Sequence, residues 1–132
     1  MKSLALVIFA LSVGCGGGSS SSTDGGSDAA VVVNGCTNFS DLTAGGGTIT
    51  FPTQATPAQY QPNCARIKVH QTLTWTGSFT SHPLMPAGGD SPNPIQATSS
   101  GMSKSFTFDS PGTFGFGCGI HASMFGAVLV EP

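Results

Sequence analysis

A cysteine, a histidine and a methionine stand three residues apart, at Cys118, His121 and Met124, in the stretch CGIHASMFG near the C-terminal end of this 132-residue chain. They offer a thiolate, an imidazole nitrogen and a thioether sulfur. Brought together on a short turn, such donors suit a late transition metal, copper foremost. The plain alternative is a turn of packing residues, with the cysteine acting as a small buried hydrophobe. The preceding residues favour the first reading. TFGFGC (113–118) alternates, so Phe114, Phe116 and Cys118 share one strand face, and the cysteine falls where the strand ends and the chain turns.

A copper site of this kind needs a second nitrogen donor. His70 follows RIKV (66–69), where Ile67 and Val69 face one way and Arg66 and Lys68 the other. It reads as a solvated strand-end residue. His82 leaves TGSFTS and opens the long stretch HPLMPAGG, a position from which a side chain at one end of a sandwich can meet the C-terminal turn. The candidate set is therefore His82, Cys118, His121 and Met124. Two imidazoles, one thiolate and a weak axial thioether form the arrangement that carries single electrons at blue copper sites. Four ligands leave no open coordination position, unlike a catalytic metal site. No side chain is placed to activate a substrate, so the chain reads as a carrier and not an enzyme.

The elements that must position these residues read as β. TITF (48–51), RIKV (66–69), TLTW (72–75), KSFTF (104–108), TFGFGC (113–118) and GAVLV (126–130) are short and mostly alternating, and 19 glycines and 9 prolines punctuate them. No segment sustains a helical period. The expected fold is an all-β antiparallel sandwich or barrel occupying residues 31–132, with 82–101 mostly loop and a short strand near Ile95. Only 8% of residues are charged, the formal net charge is −2, and four Lys and Arg form no cluster, which argues against nucleic-acid binding.

Residues 1–14 read as a signal peptide: Lys2 is followed by the apolar run LALVIFALSV, too short for a spanning helix. GCGGGSSSS then places Cys15 where it resembles the lipobox cysteine of bacterial lipoproteins, with Ser12 standing where leucine is preferred. An ordinary secretory signal cut nearby is the other reading. Both export the protein, and residues 15–30 become a Gly/Ser-rich tether. Export permits disulfides. With Cys15 lipidated, three cysteines remain. Cys36 and Cys64 each flank a strand, where a bridge would tie the N-terminal segment to the sheet and add about 3 kcal/mol. Cys118 is then the free thiol.

SHPL (81–84) followed by GTFGFGCGIHASMFGAVLVEP (112–132) resembles the plastocyanin/amicyanin branch of the cupredoxins: a first histidine, an aromatic strand ending in cysteine, then C-x2-H-x2-M-x-G-x-V. The resemblance covers about residues 47–132. It implies an eight-stranded Greek-key sandwich, one type 1 copper held by His82, Cys118, His121 and Met124, and a monomeric periplasmic or cell-envelope electron carrier. Phe114, Phe116 and Phe125 are expected to keep water off the metal. Redox proteins would dock transiently on an apolar surface around His121, formed by Leu84, Met85, Pro86, Ile120, Ala122 and Phe125. Pro83 departs from the family pattern. It lacks the N–H that would reach the cysteine sulfur, leaving the Ile120 N–H as the candidate donor. Copper storage or delivery with the same ligands is the main alternative. A stapled sandwich that only binds proteins and a cysteine hydrolase are weaker ones.

Overall fold

A computed structural model describes residues 32–51 and 58–132. The signal peptide, Cys15 and the tether lie outside the described residues. Eight strands are present: β1 (Ser40–Asp41), β2 (Gly47–Thr50), β3 (Cys64–Lys68), β4 (Gln71–Thr76), β5 (Leu84–Gly89), β6 (Ser103–Phe108), β7 (Gly112–Cys118) and β8 (Phe125–Glu131). They form a five-stranded sheet in the order β1-β3-β8-β7-β5 and a three-stranded sheet in the order β2-β4-β6. The described residues contain no helix.

The alternation in sequence becomes the inner face of each sheet. Ile49, Phe51, Ile67, Leu73, Trp75, Phe106, Phe108, Phe114 and Phe116 all join one core cluster. Burying a phenylalanine as completely as Phe79, Phe108 and Phe116 are buried contributes roughly 1.5–3 kcal/mol. Trp75 packs edge-on against both Phe106 and Phe116, a geometry that adds to area burial.

Pairing is mixed and not purely antiparallel. β1–β3, β3–β8 and β2–β4 run parallel, whereas β4–β6, β5–β7 and β7–β8 run antiparallel. The cause is the chain path: it changes sheet after β2 and again after β3, so neighbours within a sheet need not be hairpin partners. The β3–β4 corner is fastened to both sheets, by the Val69 N–H to Glu131 O (2.9 Å) and the His70 N–H to Phe108 O (2.7 Å). His70 makes this corner with a φ of 66°.

β5 was expected to be loop, and its sequence, LMPAGG, explains why. Pro86 cannot donate to a ladder, and Gly88 and Gly89 both have positive φ. Such residues are tolerated on an edge strand with a bulge. β5 is that edge: it pairs with β7 alone, and the register slips between Pro86 and Gly89. Ile95 is buried but lies in no strand. The strand-like contact in this region belongs to Thr98, which exchanges two 2.9 Å backbone hydrogen bonds with Leu84.

Candidate metal centre

β7 delivers Cys118 to one end of the sandwich, and β8 restarts at Phe125. The loop between them is closed by the Cys118 N–H donating to Met124 O (2.8 Å) and the Met124 N–H donating to His121 O (2.9 Å). The Gly119 N–H donates to Pro83 O (2.8 Å), fastening this loop to the segment that carries His82. His82 itself ends a tight turn after β4, its N–H donating to Ser78 O (2.9 Å), with fully buried Phe79 as the anchor inside that turn.

Three donor atoms converge. His82 Nδ1 lies 3.1 Å from His121 Nδ1, and Cys118 Sγ lies 3.4 Å from His121 Nδ1 and 3.9 Å from His82 Nδ1. One metal bound trigonally at the ~2.0–2.3 Å usual for nitrogen and thiolate donors sets those donors roughly 3.5–3.9 Å apart. The cluster needs only a small expansion to reach that spacing. Two imidazole nitrogens and a thiolate match copper in donor type as well. The residues therefore form a site suited to one copper ion.

His82 is 5% exposed, and its ring meets Phe51 edge-on at 5.9 Å. Burial, and secondarily the neighbouring His121, hold its pKa below the ordinary histidine value. Its imidazole is thus kept neutral, the state a ligand requires. His121 is exposed and Cys118 only partly covered. Met124 is 1% exposed and belongs to the core cluster against which Cys118 packs.

The floor of the site differs from the one expected. Phe116 is part of it. Phe114 lies further along β7, against Phe108, and Phe125 is 41% exposed. Phe51, Tyr60 and Phe79 take their place, linked by ring contacts of 5.3–5.4 Å, with Tyr60 also edge-on to Phe116 at 4.9 Å. Tyr60 went unrecognised because it falls in a Pro- and Gln-rich stretch without alternation. Burial, then the nearby Cys118, push its hydroxyl pKa well above the ordinary value, so it stays protonated. Two further expectations are corrected. Leu84 is fully buried and cannot line a docking surface. The hydrogen-bond partners of Cys118 Sγ are the two imidazoles, and the Ile120 N–H is not among them.

Gly126, the glycine two residues after Met124, has a steric reason. A Cβ there would overlap Asn63 O and come within 2.7 Å of the Phe116 ring. Its absence lets the lead into β3 approach β8, where the Ala127 N–H reaches Asn63 O at 2.9 Å. That lead-in is also pinned by a Cys36–Cys64 disulfide, with Cα atoms 5.7 Å apart. Cys118 is the free cysteine among the described residues. His70 stays out of the cluster. It sits at the other end of β4, its Nδ1 3.1 Å from Asp109 Oδ1, with three quarters of its side chain exposed.

No protein-family model and no curated protein matches the sequence. Solved structures do match in fold. A pseudoazurin from Methylobacterium extorquens AM1 is 18% identical over 65% of this chain and 75% of its own, with a TM-score of 0.50. A purple cupredoxin from Nitrosopumilus maritimus is 20% identical over 64% of this chain and 99% of its own, also with a TM-score of 0.50. A two-sheet β-sandwich with two histidines and a cysteine gathered at one end defines the class. The fold is that of the cupredoxins.

Proposed function

We propose that this chain is a type 1 copper electron carrier, exported and anchored to a membrane through lipid on Cys15. The observation that carries the reading is the convergence of His82 Nδ1, Cys118 Sγ and His121 Nδ1 within 4.8 Å of one another. Met124, buried in the core cluster against which Cys118 packs, would be the fourth ligand. Bound copper would supply a one-electron couple. The protein's part is to keep the ligands still, so that little rearranges as the electron comes and goes. Paired strands and the Gly119–Pro83 hydrogen bond hold the two loops together, and the Phe51, Tyr60, Phe79 and Phe116 rings exclude water from below. The exposed His121 is the point of electron entry. Partners dock around it on Met85, Ile120 and Phe125, which are 41%, 64% and 41% exposed. The domain works as a monomer and carries electrons without catalysing a reaction of its own.

The test is a visible spectrum after Cu(II) is added to the metal-free protein. One equivalent should give an intense thiolate-to-copper charge-transfer colour. Cys118→Ser should abolish it, and Met124→Leu should keep it with an altered potential. Repeated reduction and reoxidation without loss of metal separates a carrier from a storage or delivery protein. A colourless Cu(II) adduct of the wild type overturns the type 1 assignment.

A further inference from the structure

Outside the metal cluster, one polar side chain connects more of the site than any other. Val33, Asn34, Gly35 and Cys36 form a tight turn, closed by the Cys36 N–H donating to Val33 O at 3.0 Å. Asn34 and Gly35 have φ values of 51° and 74°, the pair of left-handed residues that such a turn requires. Both ends of the turn are buried. Val33 and Cys36 pack with Cys64 and Ala127 in a second small core, and the Cys36–Cys64 disulfide welds the turn to β3.

This leaves the Asn34 side chain at a fixed place over the five-stranded sheet. Its Nδ2 donates to Ala87 O at 2.8 Å, to Gly126 O at 2.8 Å and, with a longer bond, to Phe116 O at 3.3 Å. Those carbonyls lie on β5, β8 and β7. Ala87 is in the β5 bulge, where the slipped register interrupts its ladder. Phe116 and Gly126 are cross-strand partners, two residues before Cys118 and two after Met124. Gly115 clears the space: a Cβ there would overlap Ala87 O and come within 2.8 Å of Asn34 Nδ2.

We infer that Asn34 is a positioning residue for the metal centre. Its amide locks β5, β7 and β8 together just before their ends separate into the loops bearing His82, Cys118, His121 and Met124. Pro83 and Gly119 join those loops on the far side by a single backbone bond; Asn34 joins their roots. The N-terminal segment, which contributes no ligand, thereby sets how far the His82 loop moves against the Cys118 loop. The inference rests on the proposed copper site for its functional meaning, but the clamp itself can be tested without metal.

The experiment compares wild type with Asn34→Gly, which keeps the positive φ and removes the amide, and Asn34→Asp, which keeps the shape and removes the donor. Amide hydrogen exchange is measured on the metal-free proteins. Losing the clamp should speed exchange of the Cys118 and Gly119 N–H groups about tenfold, with the Leu73 and Ile67 amides of the core unchanged. Both variants loaded with Cu(II) should show a shifted potential and an altered charge-transfer spectrum. A uniform rise in exchange across all amides, with spectrum and potential intact, would show that Asn34 only stabilises the fold and would overturn the inference. Unchanged exchange at Cys118 and Gly119 would also overturn it. A wild type that fails to colour with Cu(II) refutes the copper reading alone and leaves the exchange result standing.

Discussion

Two histidines leave strands at opposite ends of this sandwich, and only one is built into a site. His82 follows the end of β4, and His70 precedes its start, about 20 Å away along a six-residue strand. Both are held by backbone hydrogen bonds at a turn. The difference lies in what meets the ring. His82 is buried against Phe51 and finds Cys118 and His121 in front of it. His70 points into water beside Asp109, and both side chains are mostly exposed. An imidazole becomes a candidate ligand when burial makes it a neutral donor and other donors share its small volume. His70 is exposed and has a lone carboxylate beside it, a contact worth little to stability.

The sharpest way to break that contrast is to exchange the two roles. His82→Gln should weaken copper binding by well over the roughly 10–100-fold that losing a supporting partner of a metal ligand costs, and should bleach the charge-transfer band. His70→Gln should leave affinity, colour and folding nearly unchanged. Titration of each metal-free protein with Cu(II), followed in the visible range, checks both. Equal losses in the two variants would mean that the cluster seen here is not where copper binds.

That contrast was readable in the sequence only in part. His70 could be set aside because RIKV gives its strand a polar face, and Cys118 and His121 could be placed because an alternating aromatic strand must end where the glycines begin. The chain path was not readable. Parallel pairing of β2 with β4 and of β3 with β8 comes from switches between sheets, which leave no local pattern. β5 was hidden by Pro86, Gly88 and Gly89, residues that argue against a strand unless it lies at a bulged edge. Tyr60 was hidden for the opposite reason: a tertiary contact buried it with no periodicity around it. Nothing around Asn34 in the sequence marked it out, because its three acceptors come from strands 53 to 92 positions away.

The N-terminal segment offers a second contrast, between a covalent and an ionic fastening to β3. Replacing both Cys36 and Cys64 with alanine opens a loop of 28 residues' separation, and should cost about 3–4 kcal/mol of stability on the loop-entropy model. Denaturant unfolding of the metal-free protein reads this as a lower midpoint. Asp41 on β1 holds Arg66 on β3 at 2.8 Å from an exposed position. The Thr43 N–H and hydroxyl, and then Arg66, lower the pKa of Asp41 from 3.8 to about 2. A lowered carboxyl pKa contributes stability above the unfolded value, and that contribution is lost as pH falls through the folded one. Asp41→Asn should therefore lower stability at neutral pH, by a small amount because the pair is exposed, and flatten the pH dependence between about 4 and 2 by the same amount. A midpoint unmoved by loss of the disulfide would mean that the small core of Val33 and Ala127 holds the segment unaided.

The smallest expected effect separates the two ends of the molecule as surfaces. Around His121 the exposed large apolar side chains are Met85, Ile120 and Phe125, and no charged residue occurs between Cys118 and Gly126. At the other end, the turn joining β6 to β7 carries Asp109 and Ser110. An apolar patch without charges binds by desolvation and gives little long-range steering. A carboxylate placed in it must lose water when a partner docks, whereas one at the far end stays hydrated. Ile120→Glu should thus slow electron exchange with a protein partner by about three- to tenfold, a cost typical of disturbing the centre of an interface. Ser110→Glu carries the same added charge and should leave the rate unchanged. Stopped-flow reduction of the copper-loaded variants, with spectrum and potential checked first, measures the difference. Equal rates for Ile120→Glu and wild type would move electron entry away from His121.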